Sequence, residues 1–172
     1  MKVLTGHFNI YLVMAILLGL ACGCQTSKKN LTAALRVHIE ASPDLPDTSL
    51  QISVVRSDPV LMTIKREPFL TEANVIQAKI INAQGGFAIE VKFDENGSWL
   101  IEQNSAANPG RHFAIFCQWG KTVAEGRWLA APFISRRISN GTLTFTPDCS
   151  REEADKLVPG LNETAKQIRK KS

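Results

Sequence analysis

From Leu35 to Glu40 apolar and polar residues alternate. Leu35, Val37 and Ile39 share one face, and Arg36, His38 and Glu40 share the other. A period of two with one apolar face predicts a half-buried β-strand. Ser42-Pro43-Asp44-Leu45-Pro46-Asp47 ends it, because prolines and aspartates favour turns. Two short strands follow over 50–55 and 60–65, separated by Arg56-Ser57-Asp58-Pro59. A hairpin comes next, with strands over 75–81 and 87–93 around Asn82-Ala83-Gln84-Gly85-Gly86. Phe87, Ile89, Val91 and Phe93 share a face there, and the glycine pair supplies the positive φ of a tight turn.

The period then changes. Asp94 can cap a helix running through Ser98-Trp99-Leu100-Ile101-Glu102-Gln103, which must stop before Pro109-Gly110. Alternation returns over 112–118, with Phe113, Ile115 and Cys117 inward. Residues 130–138 then lead through the turn Ser139-Asn140-Gly141 to a last strand over 142–146. Ser150 and Glu153 have capping-box spacing. Beyond them Ala154, Leu157, Val158, Leu161, Ala165 and Ile168 recur at helical spacing as one buried stripe. Pro159-Gly160 falls inside that stripe and should kink the helix or split it. This order of elements predicts an α+β fold: a largely antiparallel sheet with two helices packed on one face.

Upstream of these elements the pattern is of another kind. Residues 10–21 are uncharged and apolar, about a dozen positions where a spanning helix needs roughly 20. Such a run suits the core of a secretory leader. It ends in Ala21-Cys22-Gly23-Cys24, a junction that resembles the lipobox of bacterial lipoproteins, whose cysteine is acylated and becomes the mature N-terminus. Cys24 is preferred over Cys22, since the polar tether Gln25-Thr26-Ser27-Lys28-Lys29 then begins at once. An ordinary cleaved signal with two incidental thiols is the other reading. The expected organisation is a leader with lipobox over 1–24, a tether over 25–33, N-terminal strands over 34–66 and an α+β domain over 67–172. Nothing after the leader is long and apolar enough to span a bilayer, so the domain itself cannot conduct ions. The expected location is the bacterial cell envelope, periplasm-facing and held to the membrane by the N-terminal lipid, with the outer membrane favoured over the inner.

Net charge is +4 over 172 residues, and part of it sits in Lys28-Lys29 and Arg169-Lys170-Lys171. Short basic runs of this kind are solvated tails, and no nucleic-acid partner is expected.

From about Phe69 to Leu161 an ordered series resembles the head subdomain of the first large periplasmic region of SecD, the export-accessory membrane protein. It begins with Leu70-Thr71-Glu72-Ala73-Asn74-Val75 and the hairpin into Phe93. Gly97, Ile101, Ser105, Gly110 and Ala114-Ile115 follow, then Ala131-Pro132-Phe133-Ile134, Ile138 and Gly141. Phe145-Thr146 and Glu152-Glu153-Ala154 close the series. Related sequences usually turn with Asp-Gly directly after the Ala-Ile strand. Here Glu125-Gly126 holds that place, and 119–124 are extra residues ahead of it. The resemblance implies the fold and contact with an exported polypeptide or an envelope protein complex. It does not imply a proton-driven motor, which needs transmembrane helices that the later chain lacks.

No catalytic constellation is present. The sequence has no Gly-x-Ser-x-Gly elbow, no His-Glu-x-x-His, no phosphate-cradling loop and no Cys-x-x-Cys. His38 lies on the polar face of its strand and His112 opens another, so both are expected at the surface. Neither a metal nor any other cofactor is expected. Cys117 and Cys149 are a candidate disulfide: in an oxidising compartment two thiols in one small domain often pair, closing a loop of about thirty residues for roughly 2–4 kcal/mol. Two separate buried thiols are the alternative. Trp119 and Trp128, with Arg127, flank an irregular segment and are candidate partner-binding residues, although a tryptophan beside a strand more simply caps the core. The function expected is a non-catalytic, lipid-anchored binding module accessory to export. The alternative is a scaffolding lipoprotein that reuses the fold.

Overall fold

A computed structural model describes residues 32–42, 48–54, 59–120 and 126–171. The leader, Cys22, Cys24 and most of the tether lie outside the described residues, as does the segment 121–125 between Trp119 and Trp128.

The described strands are β1 (Ala33–Ile39), β2 (Ser49–Val54), β3 (Val60–Lys65), β4 (Leu70–Thr71), β5 (Val75–Ala83), β6 (Gly86–Phe93), β7 (Phe113–Trp119), β8 (Arg127–Ala130) and β9 (Thr142–Phe145). The helices are α1 (Glu95–Ala107) and α2 (Arg151–Arg169), and a single 3-10 turn, Glu72–Asn74, joins β4 to β5. The fold is α+β. Every ladder is antiparallel, and the hydrogen bonding divides the strands into a sheet of order β4-β1-β7-β8, a sheet of order β5-β6-β9 and the β2-β3 hairpin.

Local chemistry explains the boundaries. Gly85 turns the β5–β6 hairpin with φ +83°. The Asp94 carboxylate accepts from Gly97 N at 2.7 Å and so starts α1 one turn earlier than the apolar pattern shows. Ser150 and Glu153 form the expected capping box at the start of α2. Pro159 does not split α2, which runs unbroken from Arg151 to Arg169. Pro159 and Asp155 are both exposed, so the carbonyl that loses its helical partner faces water and the cost is small. Gly160, on the opposite side, is buried.

The main core lies where α2 meets both larger sheets. Ala154, Leu157, Val158, Leu161 and Ala165 of the helix pack among Leu35, Val37, Phe113, Ile115, Val91 and Phe145. Each fully buried leucine or phenylalanine contributes roughly 1.5–3 kcal/mol. A second core fills the other face of the first sheet, where Ile52, Val54, Met62 and Ile64 of the β2–β3 hairpin rest on Ala114, Trp128 and Ala131. Strand β1 is therefore covered on both faces, which overturns one expectation. His38 is not at the surface but 6 % exposed. Its Nδ1 lies 2.9 Å from Lys65 O, and its ring meets Trp128 edge-on at 5.2 Å. Period-two alternation reports which face is apolar. It does not report that a hairpin will later cover the polar one.

Candidate functional site

Strand edges carry backbone groups that must find partners. On β1, Leu35 N donates to Glu72 Oε2 at 3.1 Å and Ala33 N donates to Thr164 Oγ1 at 3.1 Å. On β5 the Asn162 side chain acts as a substitute strand: its Oδ1 accepts from Ala78 N at 2.7 Å and its Nδ2 donates to Ala78 O at 2.9 Å. Further along, Arg169 Nη1 donates to Val75 O at 2.6 Å. Helix α2 thus covers part of one edge of each larger sheet with its own side chains.

The outer edge of β9 is different. Phe93 N donates to Gly141 O at 3.0 Å. Antiparallel alternation then turns the polar groups of Leu143 and Phe145 toward β6 and those of Thr142 and Thr144 outward. Asn140 Oδ1 accepts from Thr142 N at 3.2 Å. None of the described residues places a hydrogen-bonding group against the outward N–H and C=O of Thr144.

Two adjoining cavities run along this edge. One, of about 460 Å³, lies between Thr142–Thr144 and the segment from Pro132 to Asn140. The other, of about 480 Å³, continues past Thr144–Thr146 and is bounded by Ala130–Pro132 and by Ile81, Ala83 and Ala88 of the hairpin. Pro132 and Thr144 line both, so together they form one groove.

The wall opposite β9 is held firmly. Pro132 O accepts from Phe113 N at 3.0 Å, Ile134 N donates to Arg111 O at 2.8 Å, and Ile138 N donates to Ser105 Oγ at 2.8 Å. Arg137 pairs with Glu102 of α1. Phe133 is 59 % exposed, with its ring edge-on to His112 at 5.3 Å. His112 is fixed in turn, because Glu40 Oε2 lies 2.8 Å from both its backbone N and its Nδ1. The groove therefore offers one open strand edge, the apolar side chains of Pro132 and Phe133, and the exposed cation of Arg136. Such a surface can add an extended strand. Among the described residues no group of three or more His, Cys, Asp or Glu could hold a metal ion.

The residues singled out from the sequence lie elsewhere. Trp119 is buried, with the Arg127 guanidinium 5.0 Å above its ring. Arg127 binds Glu153 through two nitrogens, at 3.0 and 2.8 Å, and also donates to Asp148 O. The Arg127 bond is the largest of the effects that hold the Glu153 carboxyl below its ordinary value. Trp128 packs edge-on against Phe116 and His38. All three candidate partner-binding residues are thus engaged with the protein itself. Cys117 is buried and Cys149 half-buried, both as free thiols. Sequence reading missed the β9 edge. Its one signal in the chain is the spacing of Ala131-Pro132-Phe133-Ile134 ahead of Gly141, which marks the fold but not a wall.

An antiparallel α+β domain whose open feature is a groove beside a strand edge is the class of protein defined here. The chain belongs to the SecDF P1 head subdomain family, whose model matches residues 48–165 and so takes in β2 and β3 as well. Among solved structures, SecDF in a super-membrane-facing form is similar at 21 % identity and a TM-score of 0.54, covering 76 % of this chain and 19 % of that one. A second, described as a membrane component SecDF that enhances protein export, is similar at 18 % identity and a TM-score of 0.51, covering 95 % of this chain and 71 % of that one. The chain thus spans about a fifth of the length of the first of these, and at these identities the likeness is one of fold. No curated protein sequence matches the chain significantly. Among the described residues no helix is long and apolar enough to cross a membrane.

Proposed function

We propose that this protein is a non-catalytic, lipid-anchored envelope module that holds an extended polypeptide along β9, as an accessory to protein export. The observation that carries the reading is the groove that runs beside the open edge of β9. Side chains occupy some positions on β1 and β5, whereas Thr144 on β9 stays open beside a groove whose far wall carries Pro132 and Phe133 among polar residues and the Arg136 cation. A strand laid there would gain main-chain hydrogen bonds that do not depend on its sequence, with Phe133 and Pro132 against alternate side chains. Membership of the family favours the envelope and the export machinery, and the junction at Cys24 favours a lipid anchor facing the periplasm, at the outer membrane by default.

The test places a photo-crosslinking amino acid at Thr144, with Lys156 on the exposed side of α2 as control, in the full chain expressed in a Gram-negative host. Exported chains or translocon components captured at Thr144 and not at Lys156 are the expected result. Equal labelling at both sites, or recovery of cell-wall partners alone, would overturn the export role and leave a scaffold. Radiolabelled palmitate tests the anchor separately, and Cys24→Ala should abolish its incorporation.

A further inference from the structure

Cys117 lies on the face of β7 that looks toward α2, with its Cα opposite Arg127 of β8. Arg127 reaches Asp148 O at 3.2 Å, and Asp148 N donates to Leu129 O of β8 at 2.7 Å. The residue preceding Cys149 is therefore bonded to the strand next to Cys117. Both cysteines pack in the same apolar cluster. The chain between them contains β8, the segment from Pro132 to Asn140 and β9, which is to say both walls of the groove.

We infer that Cys117 and Cys149 form an intramolecular disulfide that closes the two walls of the groove into one covalent loop. The oxidant is another disulfide, RS–SR, of the class carried by envelope thiol oxidases or by oxidised glutathione. The Cys149 sulfur attacks it, an S–S bond forms to Cys149, and the first RS⁻ leaves. The Cys117 sulfur then attacks Cys149, the second RS⁻ leaves, and the two thiol protons end on two RSH. The protein loses two electrons and the oxidant gains two.

The order follows from exposure. Burial is the main cause that pushes the Cys117 thiol far up, with a further push from Cys149, so it is a poor first nucleophile in the folded protein. Cys149 is half-buried and pushed up to about 11, chiefly by burial. Both shifts make the bridge slow to form after folding, so it belongs to folding in an oxidising compartment.

The experiment is independent of what the groove binds. The full chain is refolded in a glutathione redox buffer, quenched with an alkylating agent under denaturing conditions and mapped by peptide mass. A linked peptide joining Cys117 to Cys149, with neither residue alkylated, is expected. Its thermal midpoint should exceed that of the reduced protein by roughly 5–15 °C. The double variant Cys117→Ser, Cys149→Ser should show no rise in thermal midpoint on oxidation. Alkylation of both Cys117 and Cys149, a glutathione adduct on Cys149 with Cys117 alkylated, or bridges between chains through either residue would each overturn the inference.

Discussion

Asn162 offers the sharpest test of how these sheets are finished. Its amide meets the backbone of Ala78 twice, at 2.7 and 2.9 Å, in a partly buried setting on the edge of β5. Asn162→Leu keeps the branching at Cγ but removes both partners and hinders water from replacing them. Each lost hydrogen bond is worth about 1 kcal/mol net, and a group left dry costs roughly 1–3 kcal/mol. Partial exposure places the sum near the low end, at about 2–3 kcal/mol. For a domain of this size that lowers the thermal midpoint by roughly 5–10 °C. Urea unfolding followed by tryptophan fluorescence gives the free energy directly. Asn162→Asp makes the comparison specific: the acceptor for Ala78 N survives, while a carboxylate replaces the donor to Ala78 O. The deficit of Asn162→Asp relative to wild type should therefore shrink below about pH 4, where the protonated acid can donate again. If Asn162→Leu changes stability by less than about 0.5 kcal/mol, the amide is incidental and the closed-edge account of β5 is wrong.

Three further expectations follow from the same contacts. Burial is the main cause that lowers the pKa of His38 below 6.5. The unfolded chain then binds a proton that the folded one refuses, so stability present above about pH 6.5 is lost as the pH falls. His38→Gln, which keeps a donor for Lys65 O, should flatten that limb between pH 7 and 5, and a variant as acid-sensitive as wild type would refute the role. Glu153 is held below its ordinary value chiefly by Arg127, so its contribution is present above about pH 4.5 and fades as the pH drops through the folded value. Arg127→Met should cost about 2 kcal/mol at pH 7 and markedly less near pH 3 in denaturant titrations, and a pH-independent cost would point to packing on Trp119 instead. Gly141 has φ +64°, and an added Cβ would run into the Ser98 side chain of α1. Gly141→Ala should therefore destabilise by more than about 1 kcal/mol, with the paired variant Gly141→Ala, Ser98→Gly recovering only the part due to the clash.

The fold was largely legible because its signals are local. Alternation in β1, β6 and β7, the glycine turn at Gly85 and the capping box at Ser150 each act within a few residues. The α2 stripe was readable for the same reason, and so was the family likeness from Leu70 onward. What escaped was set by distant partners. β8 is four residues long, and its bulge at Leu129 hides any period. β4 has two residues and exists only because Val37 lies opposite Leu70. His38 looked solvated until the β2–β3 hairpin covered it. The groove is a property of two walls joined to different sheets. No spacing in the chain records that Glu72, Asn162 and Thr164 occupy edge positions while the side of β9 at Thr144 stays open.

Since α2 follows all nine described strands in the chain, its edge-closing side chains arrive last. A chain emerging from its N-terminal side has every strand available before Asn162, Thr164 and Arg169 appear. During that interval the start of β1 at Ala33 and the edge of β5 lack their side-chain partners, and the apolar face that Leu157 and Leu161 will cover stays wet. Productive folding must therefore wait for the 19 residues of α2, which makes the half-emerged domain a natural client for holding factors in the compartment where it folds. A truncation within α2 should turn a stable domain into a self-associating one, even though every strand of the fold is still encoded.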